Sequence, residues 1–255
     1  MTPSISNTSM LFLMTFVFIP MLLSYLYALK VEKDVLWASL RGSVQLFAIG
    51  YVLTYLFSLP PLFGITFMLI VMISVAGINA SRRGKSLPYV RVKTFLTLIV
   101  IEVFVLSLWL IFNMISFKAE EVIPMSGMVI GNCMVAIGLA LNRMKDEFSE
   151  SKGRILAALS LGVSAKEASK LIIRKTLRAA MIPNIDGLKT IGLVQLPGMM
   201  TGLILGGVSP IDAIRYQLVI SLSIFSAVSL SAMMITALMY KSFFNENIQL
   251  LDFEE

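Results

Sequence analysis

Stretches of about twenty apolar residues, almost free of charge, follow one another along this chain with only short polar turns between them. That pattern leaves few folds available. A hydrocarbon core about 30 Å thick takes about 20 helical residues to cross, and a helix satisfies its own backbone polar groups there. Of the 255 residues 57% are hydrophobic and 14% charged, where a soluble domain has about half and about a quarter. No two-residue alternation of the porin kind appears. The expectation is an all-α, polytopic integral membrane protein. The length admits roughly seven or eight spans and leaves no room for a soluble domain, so residues 1–255 read as a single transmembrane domain.

The expected spans are Met10–Leu29, Val35–Ser58, Leu62–Ile78, Thr94–Ser116, Pro124–Leu141, Gly187–Val208 and Ile214–Tyr240. The first lacks the basic flank and small-residue cleavage site of a signal peptide, so it reads as a retained helix. An eighth span would need Ile155–Met181, which carries too much charge to insert. With the N-terminus outside and seven spans, eighteen of the twenty-one lysines and arginines fall on the cytoplasmic side, only Lys118 and Arg215 fall outside, and Arg41 lies within a span. The C-terminus is then cytoplasmic. The net charge of +6 is thus a topology signal, and no nucleic-acid surface is expected.

Histidine is absent and Cys133 is the one cysteine. This removes histidine-based zinc sites, Ser-His-Asp triads and any disulfide within the chain. The run Arg82–Ser86, RRGKS, matches the end of a phosphate-binding loop, but the required earlier glycine is Asn79 and an apolar helix precedes it. No ATP site is expected here, and no cofactor bound by this chain.

The one long polar segment, Arg143–Asp186, contains an amphipathic helix over Ala165–Met181. Lys166, Lys170, Arg174 and Arg178 form one stripe, with Ala165, Ala168, Ile172, Thr176 and Ala179 opposite. Two readings fit: an interfacial helix meeting anionic headgroups, or a loop that docks a soluble partner. In ABC-transporter permeases a cytoplasmic loop with the pattern E-A-A-x-x-x-G forms a helix-turn-helix that seats in the ATPase. Residues Leu156–Gly162, LAALSLG, resemble it, keeping Ala157, Ala158 and Gly162 and placing Gly162, Val163 and Ser164 at the turn. The leading glutamate is Leu156, and the closing proline comes late, at Pro183.

The likeness widens over RGSVQLFAIGYVL (Arg41–Leu53), MVIGNCMVAIGLALNRM (Met128–Met144) and the stretch from Gly187 to Gln217 that opens GLKTIGLVQLPGMMTGLILGG. These closely resemble the FetB-type family of small permeases, proposed to export iron in bacteria, with plant relatives linked to aluminium tolerance. The resemblance implies the membrane subunit of an ATP-driven exporter of iron or another metal cation. It would sit in the bacterial cytoplasmic membrane, pair with a second copy, and rely on a separate cognate ATPase carrying ATP and Mg. The chain itself would not be an enzyme.

Polar residues within spans normally face a bundle interior or a watery path. By helical rise, Arg41 and Gln195 lie roughly 10 Å deep, Glu102 about 12 Å and Asn132 about 15 Å; Gln45 shares the second span with Arg41. An Arg41–Glu102 ion pair is feasible in depth, either as a neutralised structural pair or as part of a pathway. Pro197 and Gly198 predict an interruption whose freed carbonyls can face substrate. Soft sulfur ligands could come from Cys133, Met128, Met134, Met199 and Met200, and an oxygen ligand from Glu102, although methionine is also common filler in apolar bundles. Gly198, Gly202 and Gly206 recur at four-residue steps, as in close helix contacts within or between subunits. Glu102 also suits an ion-coupled carrier or channel that needs no ATPase. An intramembrane enzyme lacks any supporting group of acids or nucleophiles.

Overall fold

The computed structural model describes residues 12–245 and 247–251. The chain forms two compact units, one ending at Pro60 and one beginning at Pro61. The first unit is a helical hairpin of α1 (Met14–Leu26) and α2 (Glu32–Phe57). Its turn is tied by Ser24, whose hydroxyl donates to Glu32 Oε1 at 2.7 Å and accepts the Val31 N–H at 3.2 Å. Glu32 and Asp34 occupy the first turn of α2, where negative charge complements the helix dipole. The start of the expected first span, Met10, lies outside the described residues.

The second unit contains α3 (Pro61–Ser81), a 3₁₀ turn over Arg82–Gly84, α4 (Val90–Ile111), α5 (Ala119–Glu150), α6 (Lys152–Ser160), α7 (Ala165–Thr190), α8 (Gly198–Leu205) and α9 (Pro210–Met239). A second 3₁₀ turn, Tyr240–Phe243, follows α9. Helix α5 is the axis of this unit and packs against α3, α4, α7 and α9. Its 32 residues extend about 48 Å at the α-helical rise, well beyond a hydrocarbon core of about 30 Å. The polar residues after Leu141 therefore continue the helix, with Met144, Glu147 and Phe148 buried at its projecting end. Helices α2, α3, α4, α5 and α9 are each long and apolar enough to cross a bilayer, and α1 is a shorter apolar helix. The all-α, multi-pass membrane fold stands.

The basic loop and two helix ends meet at one end of this unit. Lys93 Nζ donates to Ser242 Oγ at 2.6 Å, and the Phe148 and Phe243 rings stack with centroids 4.0 Å apart. Helices α5 and α9 both terminate there, so the chain has to cross back between Glu150 and Pro210. Here the structure shows the interruption expected at Pro197 and Gly198, and shows it to begin earlier, at Ile191. The expected sixth span, Gly187–Val208, is not one helix: it comprises the last turn of α7, an unwound stretch from Ile191 to Pro197, and the eight residues of α8. Gly192 has φ +81°, a conformation cheap only for glycine. The Gly192 N–H turns to the Gln195 carbonyl at 2.9 Å, and Pro197, which has no N–H to offer the ladder, immediately precedes α8. At about 12 Å, α8 is too short to cross alone, so the return is composite.

Candidate functional site

An exposed elbow joins α6 to α7. Gly162 has φ +82°, and a Cβ there would meet nothing within 4 Å. Its left-handed conformation ends α6, and the Ser164 hydroxyl then caps α7 by accepting the Glu167 N–H at 3.3 Å. The spacing Ser164-x-x-Glu167 is a helix-start signal in its own right. Leu161 is 84% exposed, with Leu156 and Val163 beside it in sequence also open to solvent. Ala157, Gly162 and Ser164 are exposed and Ala158 is half-buried. Ile155 alone in α6 is buried, which anchors the first arm. An apolar crown in a polar, basic setting is the kind of surface that a protein partner covers.

The second arm is a single helix from Ala165 to Thr190, longer than the expected Ala165–Met181. Its basic stripe of Lys166, Lys170, Arg174 and Arg178 is exposed. The buried stripe is Ser169, Ile172, Thr176 and Ala180, which shares Ile172 and Thr176 with the expected one. Glu147 of α5, at 0% exposure, fastens this arm to the bundle: its carboxylate accepts from Arg143 at 2.5 Å on its own helix and from Lys175 of α7 at 2.8 Å. The sequence does not single out Glu147, because Arg143–Asp186 reads as a polar loop; Arg143-x-x-x-Glu147 is the signal it carries, a helix-type charge pair.

From Lys175, α7 continues about 22 Å by helical rise to Thr190. Along this return it carries Asn184 and the ion pair Lys189–Asp186 at 3.0 Å. The unwound stretch then presents Leu193 at 90% exposure, with Val194, Gln195 and Leu196 also exposed. Gln195, Pro197, Met199 and Met200 are thereby gathered at the break and the start of α8, a helix that packs against α9. A Cβ at Gly198 or Gly202 would meet nothing within 4 Å, so the space above those two glycines is open.

The other intramembrane candidates are divided between the two units. Arg41 and Gln45 are exposed on α2 of the first unit. Asn132 spends one amide hydrogen on the Met128 carbonyl at 2.8 Å, within its own helix. Glu102 and Cys133 are both buried in the second unit. Ser126 lies beside Glu102, and Cys133 lies beside Ser231 and within electrostatic reach of Glu102. Even so, neither Glu102 oxygen nor the Ser126 hydroxyl makes a hydrogen bond of normal geometry. No group of three or more His, Cys, Asp or Glu that could hold a metal occurs among the described residues.

Residues 7–244 match the uncharacterised protein family UPF0014. The chain is 37% identical over 249 residues to the probable iron export permease protein FetB of Escherichia coli, covering 97% of this chain and 96% of the relative. It is 39% identical over 237 residues to the UPF0014 membrane protein YjkA of Bacillus subtilis, covering 93% and 95%. The protein ALUMINUM SENSITIVE 3 of Arabidopsis thaliana is 31% identical over 234 residues, covering 92% and 86%. No solved structure matches. With a family match spanning nearly the whole chain and relatives covered almost end to end, this multi-pass membrane protein belongs to the UPF0014 family.

Proposed function

We propose that this chain is the membrane-spanning permease subunit of an ATP-driven ABC transporter that exports iron or another metal cation, with ATP hydrolysed by a separate ATPase. The observation that carries the reading is one mechanical line. An exposed apolar elbow around Gly162 is clamped by Glu147 to α5 and continues through α7 into the break at Ile191–Pro197. A push on the elbow acts on the one return segment whose backbone ladder is already open. The name of the Escherichia coli relative supports permeation and the direction and cargo of transport. Two copies of this chain would face one another with two ATPases, and Asn184, Asp186, Gln195 and the freed carbonyls of the break would offer hard oxygen ligands to a passing cation.

The test is metal-dependent ATP hydrolysis by the permease reconstituted with its ATPase. Iron(II) or a related cation is expected to stimulate hydrolysis; no stimulation by any divalent cation overturns the reading. A second reading, an ion-coupled carrier without an ATPase, is favoured by one observation: the buried carboxyl of Glu102, free of hydrogen-bond partners. Cation transport by the lone chain in liposomes, without nucleotide, would decide for it.

A further inference from the structure

The connection between α3 and α4 forms a pocket that neither the elbow nor the return segment uses. A cavity of about 500 Å³ is lined by Ser81, Arg82, Lys85, Leu87, Tyr89 and Arg91, among others. Its shape is set locally. The Leu87 N–H closes on the Gly84 carbonyl at 2.9 Å, and Tyr89 takes a left-handed φ of +56° before α4 begins. Three cationic residues line this space and no carboxylate does. Arg82, Lys85 and Arg91 make no salt bridge among the described residues, while each of Arg143, Lys170, Lys175, Lys189 and Arg215 does. Three uncompensated cations around one concavity attract an anion.

A second cavity, of about 470 Å³, shares Arg91 and Val92 with the first and runs on along Phe95, Leu96 and Ile99. It is a groove on α4, a helix apolar enough to cross the bilayer. Its floor is shaped by Phe95, whose ring lies so close to Gly77 of α3 that a Cβ there would stand 2.8 Å from Cε2. Arg91 and Val92 mark the junction of the two cavities, and the exposed Tyr89 on the rim of the first is a residue type that favours the headgroup level. A basic head pocket continuous with an apolar trough has the two-part chemistry of a lipid.

We propose that the α3–α4 connection binds one anionic phospholipid, its phosphate among Arg82, Lys85 and Arg91 and an acyl chain along Phe95, Leu96 and Ile99. A basic concavity at the end of spanning helices is suited to such headgroups. The apolar trough distinguishes this occupant from a free phosphate, and its place on a spanning helix distinguishes it from a soluble protein. The site holds whether or not the chain works with an ATPase.

The test is native mass spectrometry of the full chain released from micelles doped with phosphatidylglycerol or with phosphatidylcholine of the same acyl chains. Phosphatidylglycerol is expected to stay bound and phosphatidylcholine to be lost. The triple variant Arg82→Gln, Lys85→Gln, Arg91→Gln should weaken retention on the order of a hundredfold, and Lys85→Gln alone roughly fivefold. The single variant changes one exposed loop residue and keeps the test open if the triple variant fails to fold. Equal retention of both lipids by the natural chain overturns the proposal. So does an equal loss from Lys166→Gln, Lys170→Gln, Arg174→Gln, which removes the same charge on α7. Displacement of phosphatidylglycerol by an equal concentration of glycerol phosphate would show that the trough contributes nothing, and would likewise overturn it.

Discussion

A carboxylate taken out of water without compensation costs several kcal/mol, and Glu147 meets that cost with two cations from two helices. Arg143 fixes its direction along α5, and Lys175 makes it a bond between α5 and α7. Both cations are almost half exposed, so the pair falls below the roughly 3–5 kcal/mol lost when a fully buried pair is broken. Glu147→Ala is expected to lower stability by about 2–3 kcal/mol, read by thermal unfolding in detergent. In a double-mutant cycle with Lys175→Met, a coupling below about 0.5 kcal/mol would show that the two side chains do not act together. Glu102 is the contrasting case. Its buried carboxyl has no hydrogen bond to lose, so Glu102→Gln should unfold at the same temperature as the natural chain or higher. A lower unfolding temperature would mean that the charge has a stabilising partner.

At the scale of elements, the elbow works only if its turn holds α6 and α7 at a set angle. The space around Gly162 is open, so a substitution there acts through the backbone. A β-branched residue in the left-handed region is strained by roughly 1–2 kcal/mol, whereas asparagine tolerates it. Gly162→Val should therefore abolish metal-stimulated ATP hydrolysis by the reconstituted complex while leaving thermal unfolding of the spans nearly unchanged. Gly162→Asn should keep most of the stimulation, and equal loss in both would place the effect in side-chain bulk instead. This elbow was legible beforehand because Ala157, Ala158 and Gly162 stand at a telling spacing and charge recurs at helical period along α7. The long apolar helices were legible from composition. The projecting end of α5 was not, because its buried face (Met144, Glu147, Phe148) is interleaved with charges that read as solvent-facing loop. The break after Thr190 was legible in part: Pro197 and Gly198 announced an interruption, but its start at Ile191 did not show, because the φ of Gly192 has no counterpart in hydropathy.

For the whole molecule, the structure places the loop Arg82–Lys93, the elbow arms beyond Glu147 and the end of α9 at one end of the second unit. The proposed function requires that end to be cytoplasmic, as the lysine and arginine asymmetry leads one to expect, since an ATPase could reach the elbow only from there. Orientation is thus a condition of the proposed mechanism and can be measured independently of it. Cys133 is buried, so the natural chain should give little background labelling by a membrane-impermeant maleimide. Ser160→Cys at the elbow should label only when vesicles are turned inside out. Ser116→Cys, exposed between α4 and α5, should label in intact cells. The reverse pattern would put the elbow outside, beyond the reach of ATP, and would end the ATP-driven reading however well the elbow fits a partner. Labelling of both positions from one side would instead mean that α5 does not cross the membrane, which would undo the topology on which the composite return through α7 and α8 depends.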